Sequence, residues 1–125
     1  MGLVVLCFTI MSNAWAGNDP SIKGNLRNHI QHAMSGFISE NTVDGKMYVY
    51  DAVKGDLLKL QLDNLHTGIV KKGGFYVSCA DFLDQDNRKI DIDFLVVPKE
   101  GKLITTQALV HSVDGNKRKY HLENL

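Results

Sequence analysis

The chain has 125 residues, with 14 Lys and Arg against 14 Asp and Glu and a formal net charge of zero. That balance excludes long-range attraction of nucleic acid or of an anionic membrane, both of which need a basic excess. The length suits one domain, and two cysteines are too few for a disulfide framework.

Residues 3–11 are almost wholly apolar, Ser12-Asn13 breaks the run, and Ala14-Trp15-Ala16 places small side chains one and three positions before a cut. This pattern predicts a signal peptide over residues 1–16 and an exported, periplasmic or extracellular domain over 17–125. The apolar run is short of the about 20 helical residues that cross a bilayer, so no stable membrane insertion is expected after cleavage. No Lys or Arg precedes Ala16, which departs from the usual basic start of a leader. Cleavage removes Cys7 and leaves Cys79 without an internal partner. The neighbours Phe75, Val77, Ala80 and Phe82 predict a buried, inert thiol.

Asp19 and Pro20 read as the cap and first position of a helix. Ile22, Leu26, Ile30, Ala33, Phe37 and Ile38 then recur at three- and four-residue steps and form one apolar stripe. After Asp44-Gly45 the period becomes two. Strands are predicted over 47–53, over 58–70 with a bulge or bend near 64–68, and over 74–83, 90–97 and 103–113. Asp114-Gly115 signals a two-residue hairpin into a short last strand around 118–122. No helix separates the strands. The expected fold is α+β, with one N-terminal helix packed on a curved antiparallel sheet of five to six strands.

This order of elements resembles the cystatin-like and NTF2-like folds, in which a sheet curls around a helix. Cys79-Ala80-Asp81-Phe82, then an acidic turn, then Asp91-Ile92-Asp93-Phe94 is similar to a pattern in small uncharacterised bacterial secreted proteins. The match spans residues 56–111. It implies a fold and an exported location, and it transfers no activity.

Asp81, Asp84, Asp86, Asp91 and Asp93 crowd into one hairpin with only Arg88 and Lys89 to offset them. Calcium takes several oxygen ligands, which makes Asp84, Asp86, Asp91 and Asp93 candidate ligands. The segment lacks the glycine and distal Glu of a helix-loop-helix calcium site. The simpler reading is a solvated sheet face, with Asp91 and Asp93 about 7 Å apart on it, and a turn whose Asp and Asn bond the backbone. His29 and His32 have a metal-chelating spacing on the helix but no third ligand nearby, and read as surface residues. If the sheet curls, His66 and His111 meet near Tyr76 and Asp81, the one acid–base group the sequence offers. Tyr48, Tyr50, Phe75, Tyr76, Phe82 and Phe94 are expected to fill the helix–sheet core. No nucleotide-binding glycine loop, nucleophile elbow or Cys-x-x-Cys pair occurs, and no cofactor is expected.

The leading expectation is a small exported, non-catalytic binding or accessory domain. It would offer its concave sheet or an edge strand to a protein, to a second copy of the chain, or to a small apolar ligand. One alternative is a small enzyme using His66, Tyr76, Asp81 and His111 in a pocket between helix and concave sheet. Another is a weak calcium-binding module.

Overall fold

Period-two alternation carries the chain back and forth through a single meander. The computed structural model describes residues 17–125; the expected leader, its cleavage site and Cys7 lie outside the described residues. One helix, α1 (Gly24–Glu40), precedes seven strands: β1 (Thr42–Val43), β2 (Lys46–Asp51), β3 (Asp56–Lys72), β4 (Phe75–Leu83), β5 (Lys89–Lys99), β6 (Lys102–Val113) and β7 (Asn116–Lys117). Each strand pairs antiparallel with the next in chain order. The fold is α+β, with seven strands rather than five to six. The additions, β1 and β7, are two residues long. They arise from hairpin backbone pairing and are too short to show a hydrophobic period.

Two further boundaries differ from expectation. Residues 118–122 do not extend the sheet; the tail turns back and ends in a 3₁₀ turn, Leu122–Asn124. The helix begins at Gly24 rather than at Pro20. Asp19 instead closes a turn, its Oδ1 accepting the backbone N–H and the hydroxyl of Ser21 at 2.9 and 2.7 Å. The buried face of α1 is Ile30, Met34 and Ile38, whereas Leu26 is exposed.

Met34 and Ile38 pack on Met47, Leu58, Leu60, Phe82, Ile92 and Phe94, and Phe37 meets Phe94 edge-on at 6.0 Å. Ile22 and Ile30 pack on Ile69 and Val96 in a second cluster that includes Tyr76. These side chains fill the interior between helix and sheet, where the sequence reading placed a pocket. What remains along the helix are open grooves of about 290 and 340 Å³. Of the aromatic residues expected in this core, Tyr48 and Tyr50 are exposed and Phe75 lies on the opposite face.

The sheet curls until β2 touches β6, with three strands between them. Arg118 Nη2 donates to Asp51 Oδ2 at 2.6 Å across that seam. The face away from α1 carries its own small core, in which Val77, Cys79 and Leu122 pack together. The tail therefore covers β4 and β5 on the side the helix does not. No helix among the described residues is long and apolar enough to cross a membrane.

The β6–β7 turn has positive φ at both central residues, 48° at Asp114 and 79° at Gly115, as the two-residue hairpin requires. Nothing lies within 4 Å of a Cβ built on Gly115. Gly115→Ala is therefore expected to cost about 1 kcal/mol through backbone strain alone. In urea unfolding the midpoint should fall with an unchanged slope.

Candidate functional site

The β4–β5 register sets Asp81 opposite Asp91 and Cys79 opposite Asp93. Because Ala80, Phe82, Ile92 and Phe94 face the helix core, the four polar residues share the other face. Two bulges then add histidines. On β3, His66, Thr67 and Gly68 stand opposite Cys79 alone, between the pairs Leu65–Ala80 and Ile69–Ser78. On β6, His111 is the extra residue between the pairs Asp91–Ser112 and Ile92–Val110. A bulge re-aims its side chain out of the regular alternation, and here both turn a histidine to the same patch.

The β3 bulge is braced by the segment just before the helix and by the helix itself. Arg27 donates to the carbonyls of Ile22 and Thr67 and to Asn18 Oδ1. Asn18 Oδ1 also accepts the Ile69 N–H at 3.3 Å, and the Asp19 N–H reaches the Ile69 carbonyl at 2.7 Å. Within this frame His66 Nε2 lies 3.0 Å from Asp81 Oδ2, which Lys89 Nζ also approaches at 3.3 Å.

Asp93 is wholly buried. Its Oδ1 accepts from His111 Nδ1 at 2.7 Å and from the Cys79 thiol at 3.1 Å, while its Oδ2 accepts the Leu122 N–H at 3.1 Å. The His121 ring stacks on His111, centroids 4.1 Å apart and planes within 15°. Glu123 Oε1 lies 3.7 Å from Cys79 Sγ.

These contacts set the charges. The hydrogen bond to Asp93 raises His111 above the usual imidazole value and outweighs burial. Burial, then the charge of His111, lowers His121. Burial pushes the Asp91 carboxyl up to about 6, against the pull of His66 and His111. Burial, then the Asp93 charge, drives the Cys79 thiol far up. That thiol stays protonated, so its position beside an Asp and a His is not that of an activated nucleophile.

The patch opens into a cleft of about 660 Å³ lined by His66, Asp81, Lys89, Asp91, His111 and Glu123. A separate groove of about 330 Å³ is apolar and lies between Tyr50, Val53, Leu109, Tyr120 and Leu125.

His66, Asp81 and His111 line one cleft, with Asp81 on the face away from the helix core rather than in a pocket between helix and sheet. Tyr76 is not with them. It is an even-numbered residue of β4 and packs in the Ile22–Ile30 cluster on the helix side. The four calcium candidates are not gathered into one group. Asp84 stays in the β4–β5 turn, where its Oδ1 accepts the N–H groups of Asp86 and Arg88 and its Oδ2 accepts Arg88 Nε at 2.7 Å. Burial favours protonation of Asp84, but these bonds prevail and hold its carboxyl below the usual range. Asp86 sits exposed in the same turn. Asp91 and Asp93 do share a face, but the C-terminal tail packs on it, leaving Asp93 buried and Asp91 half-buried at the cleft. His29 and His32 are exposed on α1.

Among the described residues two sets of potential ligand atoms lie within 4.8 Å of one another: Cys79, Asp93, His111 and Glu123, and His66, Cys79 and Asp91. The sequence reading missed the central place of Cys79. Register arithmetic across the β4–β5 turn pairs it with Asp93 and would have found it. Nothing local marks His121 or Glu123, which arrive with the tail.

Compared with protein-family models, curated proteins and solved structures, the chain finds no match. The functional reading therefore stands on the geometry of the cleft.

Proposed function

We propose that the chain is a small exported, non-catalytic binding domain of cystatin-like or NTF2-like build. Its ligand is small, carries cationic or hydrogen-bond-donating groups, and binds in the cleft of His66, Asp81, Asp91 and His111. One observation carries the reading: Asp91 Oδ1 is buried in the cleft with no hydrogen-bond partner. An unpaired buried acceptor costs about 1–3 kcal/mol, and a ligand that donates to it recovers that cost. Asp81 and Glu123 add acceptors at the same cleft. This reading takes a polar ligand where the sequence suggested a small apolar one, because Asp81, Asp91 and Glu123 line the cleft. A single helix on a curled antiparallel meander supports the fold likeness, and the Ala14-Trp15-Ala16 pattern supports export.

Titration calorimetry against a panel of divalent metal ions, diamines and amino-acid amides tests the reading. At least one member should bind saturably, with affinity about tenfold weaker or worse in Asp81→Asn. Silence across the panel would sink it. So would binding that Asp81→Asn leaves intact while resonances of Tyr50 and Tyr120 shift, because the ligand would then occupy the apolar groove. Export has its own check: mass spectrometry of exported material should find a chain beginning at Gly17, and uncut Met1 would overturn that part.

A further inference from the structure

We infer that the floor of this cleft is a site for a divalent transition-metal ion of the zinc class, with His66, Cys79 and Asp91 as ligands and Asp81 as the carboxylate that orients His66. The inference rests on the cleft being a binding site and names what it binds.

Two of the three residues carry a buried atom without a hydrogen-bond partner, Asp91 Oδ1 and His66 Nδ1. Asp81 occupies Nε2 of the same ring at 3.0 Å. In a neutral imidazole whose Nε2–H donates to Asp81, Nδ1 is a bare lone pair. His66, Cys79 and Asp91 each bring one potential ligand atom to within 4.8 Å of the other two, and a cation among them would give the unpartnered acceptors a partner. The carboxylate–histidine pairing is also the arrangement that fixes a metal-binding imidazole and raises its basicity. Bonds of 2.0–2.3 Å to a tetrahedral ion put ligand atoms about 3.3–3.8 Å apart, so small side-chain movements close the set.

The other set, with Asp93, His111 and Glu123, is the weaker candidate. Asp93 Oδ1 already accepts from both His111 and Cys79, and Oδ2 accepts from Leu122. Those atoms are satisfied as a hydrogen-bond network, whereas the His66 set is not.

Donor chemistry selects the ion. One nitrogen, one sulfur and one oxygen suit zinc and its neighbours, while calcium takes oxygen alone. The carboxylates of Asp81, Asp91 and Glu123 at the cleft also attract a cation. On binding, the Cys79 S–H bond breaks, the sulfur lone pair goes to the metal and the proton leaves to solvent; no electron is transferred. Three protein ligands leave one tetrahedral position for water or a small anion.

Cobalt(II) is the probe, added to the purified exported protein after chelator treatment. A thiolate-to-cobalt absorption band should rise, saturate at one ion per chain and vanish on adding zinc. Calorimetry in two buffers of different ionisation enthalpy should read one proton released. Cys79→Ser should abolish the band, and His66→Gln and Asp91→Asn should weaken cobalt binding at least about tenfold, and Asp81→Asn by about 10–100-fold. The exposed His29→Ala should behave as wild type. Circular dichroism confirms that each variant folds, and Asp91→Asn serves if His66→Gln does not. No band overturns the site, as does a band that survives Asp91→Asn but is lost in Glu123→Gln, which would place the ion in the other set. An organic cation bound through Asp81 with no cobalt band would leave the binding reading standing and remove the metal. Silence from both removes both.

Discussion

His111→Leu is expected to destabilise the fold by about 3 kcal/mol, because it leaves the Asp93 carboxylate buried without its cationic partner. The usual range for breaking such a pair is about 3–5 kcal/mol. The lower end applies because the Cys79 thiol and the Leu122 N–H still donate to Asp93. The effect carries a pH signature. The hydrogen bond to Asp93 raises His111 above 6.5, so the folded state holds that proton more tightly than the unfolded chain. This contribution is complete below 6.5 and is lost as pH rises through the higher folded-state value. The gap between wild type and His111→Leu should therefore narrow from mildly acidic to alkaline pH, as read by urea unfolding. The double variant Asp93→Leu/His111→Leu should be less damaged than His111→Leu alone, since a buried pair exchanged for apolar side chains is often near neutral. A loss under about 1 kcal/mol, the size of an ordinary substitution, would contradict the burial argument.

Asp91→Asn is expected to do the opposite and stabilise the protein, by about 2 kcal/mol at mildly alkaline pH with chelator present. Burial lifts this carboxyl from 3.8 to about 6. A full conversion gives about 3 kcal/mol at 1.36 kcal/mol per unit, which partial solvent screening reduces to about 2. The folded state binds more protons than the unfolded chain between those two values. Stability contributed by Asp91 therefore falls as pH rises from 3.8 to about 6, and the penalty is complete above that window. Asn has nearly the same shape and no charge. Its advantage should be absent below the window and full above it, read from thermal unfolding across pH. A variant less stable than wild type at alkaline pH would show that Asp91 is not strained by burial. The same substitution is expected to weaken cobalt binding, so one residue would trade stability for a ligand.

Much of the architecture was legible because its signals are local. Period two gave way to turns at Gly55, Gly73, Asn87, Gly101 and Asp114-Gly115, where φ is positive. The irregular stretch near 64–68 appeared as a pair of register shifts in β3. Cys79 is buried, as its apolar neighbours predicted. The helix start was misread because Asp19 satisfies its side chain within a turn, which competes with capping for the same residue type. The strand count fell short because two-residue ladders have no periodicity to detect. Tyr76 was placed in the site by proximity in sequence, whereas its parity on β4 sends it to the helix side.

The sequence alone determined that one helix precedes an antiparallel meander, and that Asp91 and Asp93 share a sheet face. Both follow from backbone periodicity, a property of neighbours along the chain. Only the tertiary structure decided which part of this face the tail covers, burying Cys79 and Asp93, and which part opens as the cleft. Asn18 reaches Ile69 across 51 residues and Leu122 reaches Asp93 across 29. Two bulges turn His66 and His111 toward the face on which the C-terminal tail packs. Burial is what makes Asp93 an ion-pair anchor and Asp91 an unpaired acceptor, and it is set by chain segments remote in sequence.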